Sequence, residues 1–453
     1  MYLEQDPGAP PPPGLHVPLD IAVIGSGIAG LSAAWLLSKR HRVTLYEADH
    51  RIGGHSHTRE VAGVPVDTGF IVYNEQTYPN FTALMRHLNV PTRATEMSFA
   101  VSLDQAKMEY SGSGLRGLLA QKSNLLRPRF WRMSRDLLRF YREAAHDPSV
   151  SDDESLAEYL GRRGYGSAFR EDHLYPMAAA IWSTPSVGIR DYPAAAFIKF
   201  CRNHALLQLG QRPPWRTIQG GSREYIDRLL ADYHGTVLTG TPVRQVLRHA
   251  RGADVVTDQA ARSFDQVVIA AHADQALAML GAPDAEERRL LGAFGYCHNA
   301  AVLHSDPALM PARRKVWSAW NFVSECKDCP DVSVTYWMNA LQDLGRSQPL
   351  FVTLNPARAP DAATVHWEGD YTHPVFNGAA LRAQRELWTL QGRGNVWFCG
   401  AYFGAGFHED GLQAGLAVGE LLGGSPRPWH VADPSGRIYT GMQPASAPAG
   451  AAQ

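Results

Sequence analysis

The chain has 453 residues, 45% of them apolar and 19% charged, with a formal net charge of −1. That length suits two or three domains with a sizeable core, and the balanced charge argues against a nucleic-acid binder. No run of 18 apolar residues could span a bilayer as a helix, and five cysteines in so long a chain do not make a disulfide framework.

Residues 1–19 are Pro-rich and polar, which predicts a flexible leader rather than a secretion signal and hence a cytoplasmic protein. The first strand, Ile21-Ala22-Val23-Ile24, runs into Gly25-Ser26-Gly27-Ile28-Ala29-Gly30, and a helix follows from Leu31. A G-x-G-x-x-G turn between a buried strand and a helix is built for a dinucleotide pyrophosphate. Gly25 allows the turn, Gly27 lets backbone approach phosphate, Gly30 lets helix and strand close up, and the helix N-terminus offers free N–H groups. A second strand, Val43 to Glu47, ends in a carboxylate at the spacing that binds a ribose. Arg51-Ile52-Gly53-Gly54 comes directly after it.

Further along, residues 115–145 interleave eight basic residues with Leu125, Leu126, Phe130, Trp131, Leu137, Leu138, Phe140 and Tyr141, against only Asp136 and Glu143. Such a segment either lies on an anionic membrane or is a helix with one solvated face and one core face. Alternating residues from Thr241 to Val256 predict strands, and 264–270 and 395–400 read as buried parallel strands. A helix is expected over 411–422, and a Pro-, Gly- and Ala-rich flexible tail over 426–453. Cys326-Lys327-Asp328-Cys329 lacks two further ligands for zinc, so no metal site is expected; the pair is either redox-active or incidental. Only one glycine turn of this kind occurs, which predicts one bound dinucleotide.

The glycine turn, Glu47, Arg51-Ile52-Gly53-Gly54, Val267 to Ala271, and Gly400-Ala401-Tyr402 through Gly411 to Gly415 together resemble the flavin-containing amine oxidase and phytoene desaturase superfamily. The resemblance covers roughly residues 20–425. It implies an α/β fold, with a Rossmann-like FAD-binding domain around a parallel sheet (20–75, 218–275 and 390–425) and an inserted α+β substrate domain (76–217 and 276–389). It implies FAD as cofactor. Gly25, Gly27, Ile28, Ala29 and Gly30 would meet the pyrophosphate, Glu47 and Ala48 the ribose, and Val243 the adenine. Arg51, Gly53, Gly54, His55, Thr68, Gly69 and Ala271 would follow the cofactor toward its ring. Gly400, Ala401, Asp410, Gly411, Leu412 and Gln413 would meet the ribityl chain and isoalloxazine.

Two departures bear on substrate. The strand Tyr296 to Leu303 has Asn299 where amine oxidases place a lysine, and Gly411 stands where many carry a cage aromatic. Loss of a cage argues against an amine. His408, Glu409 and Asn299 are the candidates facing the substrate; the alternative is that Glu409 or Asp410 caps the closing helix, the favoured reading for Asp410, and that His408 packs.

Residues His204, Trp215, 220–223, 272–274, Trp317, Trp320, Asn321, 336–339 and 406–411 look like a bacterial flavoprotein group related to the N-terminal domain of plant cyclopropane fatty acid synthases. That likeness implies hydride transfer to flavin N5 from an apolar acyl-lipid chain. The alternatives are an amine oxidase caged by Tyr402 or Phe407, and a flavin-bearing accessory subunit of a lipid methyltransferase.

Overall fold

The computed structural model describes residues 17–112, 114–151, 154–182, 186–203, 206–207, 213–325, 333–345 and 348–441. His204, Cys326 and Cys329 lie outside them.

A strand, β1 (Asp20–Ile24), leads into a helix, α1 (Ile28–Ser38), and a second strand, β2 (Arg42–Tyr46). β1 is the centre of a five-stranded parallel sheet in the order 236–238, β2, β1, 266–269, 396–398. Val23 pairs with Leu45 on one side and Val268 on the other. Both faces of β1 are covered, which is why its sequence is an unbroken apolar run. The strands come from three stretches of chain separated by more than 100 residues each.

α1 is buried on every side. The sheet covers one face, and the closing helix (His408–Leu421) covers another. The two helices meet through Gly411, Gly415 and Gly419. A Cβ on Gly415 would overlap the Ala29 carbonyl and the Ser32 hydroxyl, so only glycine fits.

A seven-stranded sheet lies in the order 365–375, 295–304, 351–354, 333–337, 320–323, 99–103, 108–111. Strand 99–103 runs parallel to 320–323 across more than 200 residues of sequence. Helices between 114 and 203 pack beside this sheet.

One expectation is corrected at this level. The segment from 426 is no flexible tail as far as residue 441. Arg427 pairs with Glu420 (2.7 Å), Trp429 stacks on Trp35 at 6.0 Å, and Arg437 pairs with Asp410 (2.6 Å). The Arg-rich segment has both of the faces anticipated for it. In its helix (Pro128–Glu143), Phe130, Met133, Asp136 and Phe140 are buried. Trp131, Arg132, Arg135, Leu138 and Arg142 are exposed, and Leu126 just before is 87% exposed. No helix among the described residues is long and apolar enough to cross a membrane.

Candidate active site

A cavity of about 780 Å³ runs from the first glycine turn, past the start of the closing helix, to the wall of the seven-stranded sheet. At its nucleotide end, Gly25 has φ +102°, and a Cβ there would stand 2.6 Å from the Ala270 carbonyl oxygen. Gly30 is closed to any side chain by the Gly25 carbonyl, so it packs rather than lines. Gly27 is the opposite case: it caps α1, and a Cβ there would have nothing within 4 Å. The helix N-terminus thus opens onto free space, with no side chain capping it, which suits a phosphate.

Glu47 lines the cavity and accepts hydrogen bonds from the Ser26 and Asp49 amides (2.9 Å each) and from the Ser26 hydroxyl. Ser26 also accepts from the Gly53 amide (3.1 Å). Gly54 (φ +57°) backs directly onto Gly27: a Cβ there would stand 3.0 Å from the Gly27 Cα. Arg51 does not line the cavity. It donates to the Gly54 carbonyl (2.7 Å) and the Ser56 carbonyl (3.3 Å), fixing the second glycine turn against the first. Glu47→Ala leaves two backbone donors without their acceptor, and FAD content of the purified protein, read from its absorbance, is expected to fall at least tenfold.

Ile28, Ala29, Ala48, His55, Thr68, Gly69, Val243, Ala271, Gly400, Ala401, His408 and Gly411 all line the same cavity. Residues separated by nearly 400 positions are brought to one surface. Gly69 approaches the His55 carbonyl too closely for any Cβ. The Thr68 hydroxyl is 2.8 Å from the Tyr371 hydroxyl.

Other candidates face elsewhere. Glu409 is buried and accepts from the Asn80 amide and side chain (3.0 Å each), the Phe81 amide (2.9 Å) and Gln413 (2.9 Å). It therefore caps a different helix, α2 (Pro79–His87), rather than facing a substrate. Asp410 accepts from the Phe407 amide (2.8 Å) and pairs with Arg437, closing the N-terminus of its own helix. Gln413 bridges Glu409 and the Arg437 amide, Leu412 is core, and Gly53 packs against the Ser56 carbonyl and Ile226. Asn299 is buried behind the cavity wall, against His373 (3.2 Å) and Asn355 (2.8 Å).

His408 lines the cavity with its ring stacked on Phe70 at 3.8 Å and its Nε2 2.9 Å from the Tyr225 hydroxyl. Burial pushes it down to about 3, so it is uncharged and a weak base. His373 is pushed down to about 4 by burial and by His272. His55 is held well below the ordinary imidazole range by burial and by His373, 5.6 Å away between ring centres. Its Nε2 is buried without a hydrogen-bond partner, a donor or acceptor awaiting a ligand atom. His272 stacks on Tyr296 at 4.5 Å.

These rings carry a pH consequence. Unfolded histidine titrates near 6.5, whereas folded His373 and His408 stay neutral to about 4 and about 3. Their contribution to stability is complete above pH 6.5. It is lost as the solution is acidified from there toward those lower values. The urea midpoint is expected to drop steeply from pH 6.5 to 4, and His408→Phe to flatten that slope.

His373, Tyr371 and Tyr296 line the cavity but carry no motif of their own, unlike Trp320 and Tyr336, which line it too and belong to the segments that resemble the bacterial flavoprotein group. The signal for His373 and Tyr371 was their two-residue alternation on a strand; strand 365–375 pairs along the whole of 295–304.

A glycine-lined trough beside an uncapped helix, a carboxylate at the end of the second strand and Gly411 in the first turn of the closing helix, all on one cavity, fit FAD. Residues 28–305 match the model of the flavin containing amine oxidoreductase family. The chain belongs to that family. The Mycobacterium tuberculosis protein AofH, named as a flavin-containing monoamine oxidase, is 27% identical over 261 residues, 56% of each chain; the chain thus spans about half the length of the curated relatives it matches. Cyclohexylamine oxidase from Brevibacterium oxydans superposes with a TM-score of 0.63 at 16% identity, covering 90% of this chain and all of that one. A fatty acid isomerase from P. acnes that produces CLA superposes with a TM-score of 0.61 at 17% identity, covering 89% and 98%. The chain has the flavin-binding fold of the amine oxidases. When bound, FAD would supply the redox chemistry, and the chain's part would be to hold it and exclude water around it.

Proposed function

We propose that this oxidoreductase oxidises or desaturates an apolar acyl-lipid chain taken from an anionic membrane surface. The supporting observation is the wall beyond the flavin end of the cavity. It is formed by Ile71, Met97, Ile181, Phe200, Leu206 and Leu354 with the rings of Trp215, Trp320, Phe376 and Phe407, and Glu47, far off at the ribose end, is the sole carboxylate among the lining residues. A cationic amine entering that wall would lose its hydration without a counter-charge. The P. acnes isomerase supports the reading in that a fold of this kind accommodates a fatty acid.

Surface chemistry supports the membrane half. Leu125, Leu126, Trp131 and Leu138 are exposed together, with Trp131 donating to the Leu125 carbonyl (3.0 Å). Arg116, Lys122, Arg132 and Arg142 around them enter no ion pair among the described residues. Unpaired cations among exposed apolar side chains match an anionic bilayer. The cyclopropane-acyl connection expected from sequence narrows the chain to a modified one.

The experiment is anaerobic mixing of the holoenzyme with phospholipids bearing saturated, methyl-branched or cyclopropane chains, watching flavin bleaching. Bleaching by a lipid supports the proposal. Bleaching by none, with peroxide released on a polyamine panel, overturns it in favour of an amine oxidase. The stacked Trp320–Tyr336 pair (5.8 Å, 21°) is the observation that favours this second reading, as a replacement cage.

A further inference from the structure

We infer that Asn299 is a positioning residue that locks His373 in a single neutral tautomer, so that its Nε2–H is a fixed hydrogen-bond donor to the bound flavin. The inference is independent of which substrate is oxidised.

The chain of hydrogen bonds starts in the backbone. Asn355, just past strand 351–354, pairs with Ala300 twice: its amide donates to the Ala300 carbonyl (2.8 Å), and its side-chain Oδ1 accepts from the Ala300 amide (3.0 Å). The side chain thereby substitutes for one more residue of strand pairing, and its orientation is settled, because an NH₂ turned toward the Ala300 N–H would set donor against donor. The Asn355 NH₂ then points to the Asn299 Oδ1 at 2.8 Å. With its oxygen so engaged, Asn299 turns its own NH₂ to the other side. There it meets the Cys297 carbonyl (3.3 Å) and the His373 Nδ1 (3.2 Å). An NH₂ group has no lone pair to offer, so Nδ1 is the acceptor and the ring proton sits on Nε2.

His373 lines the cavity, and no hydrogen bond to its Nε2 is made among the described residues. It lies beside His55, which follows Gly54 in the chain and whose carbonyl backs onto Gly69. Burial keeps the ring uncharged through the physiological range. The site thus offers the flavin a neutral donor in a fixed direction, from the strand next to the one on which the resemblance to amine oxidases would have put a lysine. A donor held toward a ring heteroatom favours the electron-rich reduced flavin over the oxidised form. The relay crosses three strands, so the donor's direction is set by sheet geometry rather than by a flexible side chain.

The test uses FAD-loaded protein labelled with 15N-histidine. Two-bond proton–nitrogen spectra report which ring nitrogen is protonated, and the signal lost in His373→Gln assigns the residue. The expected pattern is protonated Nε2 and bare Nδ1, unchanged from pH 6 to 8. Asn299→Asp, whose carboxylate accepts from Nδ1–H, is expected to reverse the tautomer. It is also expected to make reduction of bound FAD about tenfold less favourable against a reference dye, the size of one hydrogen bond, with the FAD-to-protein ratio kept. A purely structural role for Asn299 would lower stability or FAD content without moving the potential. A charged ring or an Nδ1–H in the wild-type protein overturns the inference, and that spectrum decides even where Asn299→Asp fails to fold. A reversed tautomer with an unchanged potential overturns the assignment of the donor to the flavin.

Discussion

Gly415→Val is expected to yield a colourless and poorly soluble protein. The Cβ it adds would overlap the Ala29 carbonyl oxygen and the Ser32 hydroxyl on α1. The first of these is backbone, which no rotamer change can move. Accommodation therefore requires the closing helix to back away from α1. Overpacking alone costs about 1–3 kcal/mol and more when backbone must shift. Here the shift also separates Gly411 from the α1 N-terminus, the two helix ends that border the cofactor cavity. The flavin-to-protein absorbance ratio and the urea midpoint check this. Gly419→Ala is the control, because its Cβ would find its nearest neighbours at 3.3 Å, and it should remain yellow. A Gly415→Val protein with full flavin and an unchanged urea midpoint would show that the helix contact is looser than its geometry.

Arg437→Met is expected to destabilise the protein by about 3–5 kcal/mol, because it leaves Asp410 charged and buried without its partner. The Asp410 side chain is fully buried and that of Arg437 is 11% exposed. Arg437 also donates to the Thr77 carbonyl (2.8 Å), so one guanidinium joins the start of the closing helix to the loop before α2. Chemical denaturation of the variant measures the loss. The double variant Asp410→Asn, Arg437→Met should recover part of it, since the uncompensated charge is then gone. If the single variant were as stable as the parent, the pair would be contributing nothing beyond what solvent supplies.

The nucleotide side of the fold was legible because buried parallel strands and glycine turns write themselves into contiguous sequence. Residues 21–24, 25–30, 43–47 and 395–400 each carry their own signature, and the structure has a strand or turn at each. The closing helix was legible too, though it begins three residues earlier than its glycine, at His408. What failed was anything decided by a distant partner. Glu409 sits beside a cavity in sequence terms, yet its carboxylate turns toward the α2 amides more than 300 residues away. Nothing near Glu409 hints at that helix. Arg427, Trp429 and Arg437 lie in a Pro- and Gly-rich stretch whose composition reads as a loop, and three side chains anchor it nonetheless. Asn299 stood out as a departure from the resemblance, but its partner His373 belongs to a neighbouring strand that only pairing register identifies.

The chain order of the cofactor cradle has a bearing on biosynthesis. The glycine turn at 25–30 leaves the ribosome early, whereas the helix that closes over the same cavity starts at residue 408. At about 5–20 residues per second, translation separates the two by roughly 20–80 s. Through that interval the nascent chain exposes half a nucleotide cleft with no opposing wall. Firm retention of flavin is therefore an event that follows synthesis of the closing helix, and a product stalled or truncated before residue 408 would be recovered without colour.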